Sequence, residues 1–169
     1  MRAAFVATMS GKQVAILVPT TLLARQHLLT FRDRMDKWPV RVEALSSMMG
    51  SSGNREILAD LEAGRVDIII GTHALISEKI KFKDLGLLVV DEEHRFGVKQ
   101  KERLRQVREN VDTLTLTATP IPRTMHLALS GLRDLTTIDT PPEERLPVVT
   151  HIGPYEENLV RQAVRRELN

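Results

Sequence analysis

The chain has 169 residues, of which 42% are apolar and 27% are charged, so it is long enough to form one domain around a hydrophobic core. It contains no cysteine, which excludes disulfide frameworks and thiolate metal sites, and its formal net charge of +2 does not by itself indicate nucleic acid. No stretch approaches the roughly 18 uninterrupted apolar residues of a membrane span, and the apolar run after Met1 ends too early for a secretory signal. These features predict a cytoplasmic protein without membrane association.

The first predicted elements are a strand and a helix. Residues 14–18 form a continuous apolar run that Pro19 stops, which is typical of a strand buried on both faces. Thr20 or Thr21 can cap the helix that follows, because hydroxyl oxygens accept bonds from the free N–H groups of a first helical turn. Apolar residues then recur with helical spacing as far as Phe31.

A second strand and helix follow. Residues 40–45 alternate apolar and polar side chains, which predicts a strand with one wetter face, near an edge of its sheet. Residues 50–53 are rich in serine and glycine and predict a loop. Asn54 is predicted to cap the next helix and Gly64 to end it, as glycines commonly do.

Three more strands complete the repeated pattern. Residues 67–70, 87–90 and 113–117 are strand-like, and a polar helix is predicted at residues 101–107. Strand, loop and helix in this repeated order predict an α/β domain with a mainly parallel sheet. In such sheets the ligand site lies beyond the carboxyl ends of the strands, where the chemically distinctive residues of this chain also lie.

The character of the sequence changes after Leu135. Residues 140–147 contain three prolines and can continue neither a helix nor a central strand, because proline lacks the N–H donor and fixes φ. A short strand at residues 148–152 and a helix at about residues 156–168 are predicted next. We therefore divide the chain into a first domain at residues 1–137, a linker at 138–147 and the beginning of a second domain at 148–169.

The strand at residues 87–90 ends in the acidic sequence Asp91-Glu92-Glu93-His94. Carboxylates at the exposed end of a buried strand suit a magnesium–nucleotide site, because Mg²⁺ prefers one or two carboxylates, several waters and substrate phosphates. Asp91 would hold the ion through its hydration shell, and Glu92 would orient and deprotonate the attacking water. The alternative is an acidic turn that ends a strand and caps the next helix.

Other strand ends carry hydroxyl groups and free backbone amides. Thr117 and Thr119 follow the last strand, where their hydroxyls could bond to Glu92 or His94; the alternative is simple β-propensity before a proline-started helix. Pro19-Thr20 and Gly71-Thr72-His73 stand at helix starts, where amides can hold the phosphates of a nucleic acid. Each of these is equally a possible helix cap.

Four short sequences occur in a fixed order along the chain, namely Pro19-Thr20-Thr21-Leu22-Leu23-Ala24, Gly71-Thr72-His73, Asp91-Glu92-Glu93-His94 and Thr117-Ala118-Thr119-Pro120. They resemble motifs Ia, Ib, II and III of superfamily 2 helicases. The longer strings at residues 89–98 and 117–124 are similar to the RecG and Mfd branch, and the resemblance covers nearly the whole chain. Glu93, where RecG-type proteins usually carry glutamine, and residues 139–145 favour the transcription-repair coupling factors (Mfd).

This resemblance implies a RecA-like fold with helices on both faces of the sheet, and an ATP- and Mg²⁺-dependent translocase on double-stranded DNA. Asp91 and Glu92 would be the catalytic pair, with Asp91 binding Mg²⁺ through water. The implied coupling residues are His94, Thr117, Ala118 and Thr119. The implied DNA contacts are Pro19, Thr20, Gly71, Thr72 and His73. The complete protein would bind RNA polymerase and excision-repair factors, and residues 1–137 would be its first ATP-binding domain.

The chain departs from this family at the phosphate-binding loop, whose pattern is Gly, four residues, then Gly-Lys-Ser/Thr. Here Gly11-Lys12 is followed by Gln13, and Val6 stands where the first glycine should be. We therefore predict a RecA-like fold that is incomplete at its N-terminus, with an exposed sheet edge, and an isolated chain that does not hydrolyse ATP. Two alternatives remain open: a RecG-type helicase, or a non-enzymatic RecA-like module that binds nucleic acid or protein.

Overall fold

The computed structural model describes residues 1–45, 51–108, 110–118, 134–140 and 150–168, with only the backbone described at Ser51 and Ser52. The strands in this part of the chain are β1 (Gln13–Leu17), β2 (Val42–Leu45), β3 (Ile68–Gly71), β4 (Leu85–Asp91) and β5 (Asp112–Leu116). The helices are α1 (Arg2–Met9), α2 (Thr21–Met35), α3 (Ser51–Glu62), α4 (Val98–Arg108) and α5 (Glu157–Leu168), with short 3-10 turns at His73–Ile76 and Glu93–Arg95.

The five strands form one sheet in the order β2-β3-β1-β4-β5, and every neighbouring pair is parallel. The predicted α/β fold with a parallel sheet is therefore confirmed. Parallel neighbours need crossover connections: α2, α3 and α4 lie in three of them, and the connection from β3 to β4 contains the 3-10 turn at His73–Ile76. All strands consequently point the same way, so their carboxyl ends lie along one edge of the sheet, which positions the candidate site.

The sheet is covered on both faces. On one face Val14 and Ile16 of β1 pack with α1 and α2, where Phe31 is 4% exposed. On the other face Ala15 and Leu17 pack with residues of α3 and α4. Because successive side chains of a strand point to opposite faces, the apolar run in β1 contributes to both cores. The prediction of a strand buried on both faces is confirmed at β1.

β1 begins one residue earlier than predicted, at the buried Gln13. The Gln13 amide Nε2 donates to the carbonyl oxygens of Leu61 at 2.8 Å and Val66 at 2.9 Å. Its Oε1 accepts from the backbone N–H groups of Lys83 at 2.8 Å and Asp84 at 3.0 Å. Two donor hydrogens and two acceptor lone pairs are thus all used. Gln13 joins the end of α3, the entry to β3 and the entry to β4.

Helix α3 corrects one sequence prediction. The loop expected at residues 50–53 is wrong at residues 51–53, which are helical, and Asn54 lies inside the helix instead of capping it. Small polar residues are compatible with a first helical turn, because its N–H groups have no intrahelical partner and are solvated or side-chain bonded. Gly64 follows the end of α3 with φ +77°, the left-handed conformation predicted for it.

The C-terminal part is exposed. Residues 134–140 are irregular, and no strand forms at residues 150–152, whereas the rest of the predicted 148–152 strand and of the 138–147 linker lies outside the described residues. An isolated strand lacks a neighbour with which to share backbone hydrogen bonds. α5 confirms the predicted helix, and its apolar side chains, such as Leu159 and Val164, remain exposed. Among the described helices none is long and apolar enough to cross a membrane.

The two outer strands of the described sheet differ. β5 is an outer strand of the described sheet, and its Leu114 and Leu116 have 40% and 44% of their surface exposed. β2, on the other side, is bordered by charge: Arg41 Nη1 donates to Asp60 Oδ2 at 2.6 Å, and Arg65 Nε donates to Asp60 Oδ1 at 2.9 Å. Glu43 of β2 continues this network by accepting from Arg41 at 3.1 Å. Charged side chains at an edge strand disfavour pairing with other chains.

The Asp60 network predicts a pH-dependent stability. Hydrogen bonds from Arg65 and then Arg41 hold the pKa of Asp60 below its usual value. Because the folded-state pKa is lower than the unfolded one, ionised Asp60 stabilises the fold at neutral pH, and this contribution disappears as the pH falls through the lowered pKa. Asp60→Asn should therefore lower the midpoint of thermal unfolding at pH 7, and the difference should shrink in acid. A difference from the unsubstituted protein that stays constant with pH would contradict this explanation.

Candidate functional site

The acidic sequence forms a tight turn at the carboxyl end of β4. Asp91 is the last residue of the strand, and Glu92 has φ 52° and ψ 52°, the only positive φ of a non-glycine residue in the part of the chain that the structure describes. For an L-residue this left-handed conformation costs about 1–2 kcal/mol. The Glu92 N–H donates to Leu116 O at 2.9 Å, and Phe96, buried at 5% exposure, anchors the other end of the turn.

The Glu92 carboxylate is held by the residues that follow β5. The Thr117 hydroxyl donates to Glu92 Oε2 at 3.1 Å, and the Ala118 N–H donates to Oε1 at 3.1 Å. His94 Nδ1 lies 3.1 Å from Oε2, although its ring is not aligned for a hydrogen bond. The expected contact between a hydroxyl after β5 and Glu92 is therefore present. Thr119, the other expected hydroxyl, lies outside the described residues.

These contacts set the charge of Glu92. The backbone hydrogen bond from Ala118 lowers the pKa of the Glu92 carboxyl, and the Thr117 hydroxyl and the nearby His94 and Arg95 act in the same direction. The carboxylate is therefore ionised at neutral pH. A carboxylate offers about four lone-pair sites, of which these donors occupy only some, and 21% of the side chain is exposed. Glu92 can thus accept a further hydrogen bond, including one from a water molecule.

Asp91 lies beside a histidine that the sequence did not single out. His27 Nε2 of α2 is 3.5 Å from Asp91 Oδ2, and 22% of the Asp91 side chain is exposed. A lone histidine inside a helix carries no motif signal, and this contact exists only because α2 passes the carboxyl end of β4. Helix α2 is fixed there by Thr20, whose hydroxyl accepts from Leu23 N at 3.3 Å.

The donor chemistry at Asp91 fits a hard cation. Its carboxylate is partly exposed at the strand end, next to Glu92, and Mg²⁺ typically takes one or two carboxylates and completes its shell with water and phosphate oxygens. Within the described residues no group of three or more His, Asp or Glu side chains could hold a metal alone. Asp91 is thus a side chain that could bind a hard cation whose remaining ligands are water or anionic oxygens.

The predicted DNA contacts follow β1 and β3, which are neighbours in the sheet. The Val18 N–H donates to Gly71 O at 3.0 Å and ties the two strand ends together. Thr20 caps α2, which is the structural alternative to a DNA contact at this residue. Thr72 precedes the 3-10 turn that begins at His73, but its side chain makes no capping bond, and His73 is exposed. The cap explanation therefore accounts for Thr20 but not for Thr72.

Gly71 has a packing reason of its own. A Cβ at this position would lie 3.0 Å from Leu75 Cγ and 3.2 Å from the carbonyl oxygen of Leu45, closer than ordinary van der Waals contact. Only glycine fits without a shift of its neighbours. Gly71 thus allows the 3-10 turn to pack tightly against the end of β2, whether or not the turn contacts a ligand.

The candidate residues are arranged along one edge of the sheet. Following the strand order, the edge carries Thr72 and His73 after β3, Pro19 after β1, Asp91 at the end of β4 and Thr117 after β5. The acidic pair is in direct contact with the β5 end, and the predicted DNA contacts form a separate group on the neighbouring strands. The arrangement can hold a cation and an attacking water at one end and a phosphate backbone farther along.

Sequence reasoning missed the residues that support the acidic turn. The Gln100 Oε1 accepts from Gly97 N at 2.6 Å and so caps α4 just after the turn. Arg108, at the end of the same helix, forms an ion pair with Glu93. Gln100 could have been found, because a glutamine three residues after the residue that precedes a helix is a known capping pattern. No local pattern distinguishes Arg108 from the other basic residues of α4.

Comparison with known proteins gives consistent similarities. A family model described as DEAD/DEAH box helicase matches residues 1–127. The chain is 57% identical to the transcription-repair-coupling factor of Escherichia coli (strain K12) over 99% of this chain and 15% of that protein. It is 53% identical to the corresponding factor of Mycobacterium tuberculosis (strain CDC 1551 / Oshkosh), over 99% of this chain and 14% of that protein. The chain thus spans about one seventh of the length of these curated relatives.

Solved structures agree on the fold. The structure of RecG bound to a three-way DNA junction aligns with a TM-score of 0.72 and 41% sequence identity, over 94% of this chain and 21% of that one. The DUF1998 helicase MrfA aligns with a TM-score of 0.55 and 16% identity, which supports the fold alone. The similarity to RecG includes the sheet on which the acidic turn is built.

Proposed function

Since this chain belongs to the DEAD/DEAH box helicase family, within the superfamily 2 branch of the transcription-repair coupling factors and RecG, we propose that it is part of an ATP-driven translocase on double-stranded DNA. The observation that carries this proposal is the Glu92 carboxylate, ionised and held by Thr117 and Ala118 beside Asp91. A carboxylate fixed at a strand end next to a cation ligand suits the activation of water for phosphoryl transfer.

In the proposed reaction each acidic residue has a separate role. Asp91 would hold Mg²⁺, and the ion would supply neutralisation of charge on the ATP phosphates. Glu92 orients the attacking water and accepts its proton. The left-handed backbone at Glu92 supports this role. Residues in sparsely populated backbone conformations cluster at active sites, where the surrounding structure holds them in place.

The proposed coupling residues connect hydrolysis to movement. His94, Thr117 and Ala118 all contact or adjoin the Glu92 carboxylate, so a change at the phosphates alters their interactions directly. Thr119 completes this set by its place in the sequence. Because Thr117 and Ala118 lead from β5 into the segment that connects to the proposed second domain, they are placed to transmit the change.

The proposed DNA contacts are Pro19, Thr20, Gly71, Thr72 and His73. The unused capping capacity of Thr72 and the exposure of His73 support contact with a phosphate backbone, which hydroxyls, imidazoles and helix-start amides commonly bind. Gly71 contributes by letting the turn pack closely. The similar structure of RecG was determined with a DNA junction, which supports DNA as the ligand.

Partners and location follow from the relatives. The name of the similar coupling factors joins transcription to repair, and on that basis we assign RNA polymerase and excision-repair factors as partners of the complete cytoplasmic protein. The division into residues 1–137, 138–147 and 148–169 is retained as the domain proposal. The exposed leucines on β5 and on the apolar face of α5 support it, because further parts of the complete protein would cover them.

The isolated 169-residue chain is expected to show no ATP hydrolysis, with or without double-stranded DNA. The reason is that the chain contains no Gly-x-x-x-x-Gly-Lys-Ser/Thr sequence, whose amides and lysine cradle the phosphates. Phosphate release from the purified chain, measured beside a full-length protein that carries the same segment, provides the test. DNA-stimulated turnover by the isolated chain would contradict this expectation.

The function itself is tested with the full-length protein. We expect ATP hydrolysis stimulated by double-stranded DNA, together with ATP-dependent displacement of a third strand from a triplex, which reports translocation along the duplex. Salt-sensitive DNA binding without turnover would instead support the non-enzymatic module. A preference for branched DNA over linear duplex would favour the RecG-type alternative, for which the 41% identity to RecG is the supporting observation.

A further inference from the structure

The third residue of the acidic turn, Glu93, forms an ion pair with Arg108 at the end of α4. Glu93, the residue after Glu92, accepts two hydrogen bonds from Arg108: Nη1 donates to Oε1 at 3.0 Å and Nη2 donates to Oε2 at 2.9 Å. Only 16% of the Arg108 side chain and 23% of the Glu93 side chain are exposed. Two parallel charge-assisted bonds fix the orientation as well as the distance of the two groups. This pair is therefore a geometric constraint, unlike a solvated surface ion pair.

The same guanidinium also reaches β5. Arg108 Nη2 lies 3.4 Å from the hydroxyl of Thr115, which is paired with Val90 in the register between β4 and β5. Thr115 stands two residues before Thr117, the residue whose hydroxyl donates to Glu92. The Arg108 side chain thus connects three segments, namely the acidic turn, the end of α4 and strand β5, which leads directly to the residues that contact the Glu92 carboxylate.

The geometry of Glu92 depends on contacts of this kind. Its left-handed backbone is unfavourable for a residue with a side chain, so it persists only where the surroundings hold it. Thr117 and Ala118 hold the Glu92 side chain. The bidentate pair with Arg108 holds the next residue, Glu93.

We propose that Arg108, through Glu93 and Thr115, is a positioning residue for the acidic pair. It keeps the turn at Glu92 in its left-handed form and keeps β5 in the register that brings Thr117 to the carboxylate. This inference rests on the proposed function, in which Glu92 acts on the attacking water. Glu93 is then a support of the turn and not a third catalytic carboxylate.

The test uses the full-length protein that carries this segment, with DNA-stimulated ATP hydrolysis as the readout. Arg108→Gln should lower kcat about 10- to 100-fold, the usual effect of removing a partner that orients a site ligand. The KM for ATP should change less than about threefold, because uniform substrate binding is not affected. Arg108→Lys should be intermediate, since lysine keeps the charge but not the two-pronged geometry.

A double-substitution cycle separates positioning from simple stability. Glu93→Ala should resemble Arg108→Gln, and the combined variant should be no worse than the more damaging single one, because residues that act as a unit are not additive. Glu93→Gln, which keeps one acceptor oxygen for Arg108, should be milder than Glu93→Ala. The matched control is Arg105→Gln on the same helix, where 73% of the side chain is exposed, and it should leave kcat unchanged.

The outcomes distinguish this inference from the function on which it rests. A kcat within about twofold of the parent for both single variants, or losses that multiply in the double variant, would overturn the positioning role. So would a lower thermal midpoint with unchanged kcat for each folded molecule. If Glu92→Gln lowers hydrolysis as expected while Arg108→Gln keeps kcat within about twofold of the parent, only the positioning role fails. If the unsubstituted protein hydrolyses no ATP, the proposed function fails and this inference fails with it.

Discussion

Replacing Glu92 by glutamine in the full-length protein is expected to lower DNA-stimulated ATP hydrolysis by about 10²- to 10⁴-fold, the usual contribution of a general base. Glutamine has the same shape, so its oxygen can still accept from Ala118, and the Thr117 hydroxyl can rotate to accept from the new NH₂ group. The turn should therefore keep its geometry. What the amide cannot do is accept a proton from the attacking water.

The measurement should separate binding from chemistry. ATP affinity should stay close to that of the parent protein, because Glu92 is proposed to act on water and not on the phosphates. Glu102→Gln on α4 is a matched control, since this glutamate is exposed and its ion pair within the described residues is with the exposed Arg105, and it should leave turnover unchanged. Hydrolysis at the parent rate by the Glu92→Gln protein would remove the observation on which the proposed function depends.

Replacing Gln13 by leucine is expected to destabilise the fold by several kcal/mol. The substitution leaves the carbonyl groups of Leu61 and Val66 and the N–H groups of Lys83 and Asp84 without the partners they have now. Leu61 and Val66 are buried, and each buried group left unsatisfied costs about 1–3 kcal/mol, whereas Lys83 and Asp84 are exposed residues that water can reach. The sum is a large share of the 5–15 kcal/mol that typically separates folded from unfolded domains. The free energy of unfolding in urea measures it.

A second substitution identifies the cause. Gln13→Glu keeps the size and the acceptor oxygen facing Lys83 and Asp84, but it turns an oxygen towards the carbonyl groups of Leu61 and Val66. We therefore expect the Gln13→Glu protein to have a lower free energy of unfolding at neutral pH. The difference should be smaller in acid, where a protonated carboxyl can donate one hydrogen bond. Gln26→Leu on α2, an exposed glutamine, should change stability by less than about 0.5 kcal/mol. Equal effects at Gln13 and Gln26 would contradict the hydrogen-bond explanation.

The strands of this protein were predictable from the sequence because their signal is local. Residues 14–18, 68–70 and 87–90 are continuous apolar runs. Every boundary of β1, β3 and β4 lies within two residues of the strands predicted at 14–18, 67–70 and 87–90. The start of α3 is the boundary that differs most, because the serine and glycine residues there predict a loop and the structure has a helix. Small polar residues occur both in loops and in first helical turns, so composition alone does not separate the two.

Local patterns were enough to predict the parallel α/β fold, the distinctive residues at strand ends and a contact between a hydroxyl after β5 and Glu92, because parallel strands bring their carboxyl ends to one edge. Packing in three dimensions brings His27 to Asp91, Arg108 to Glu93 and Gln13 to three segments, and none of these contacts is visible in the sequence. These contacts involve polar residues far apart in the chain or facing in directions set by packing. Such side chains follow no hydrophobic period, so their partners are fixed by how the helices lie on the sheet and not by local pattern.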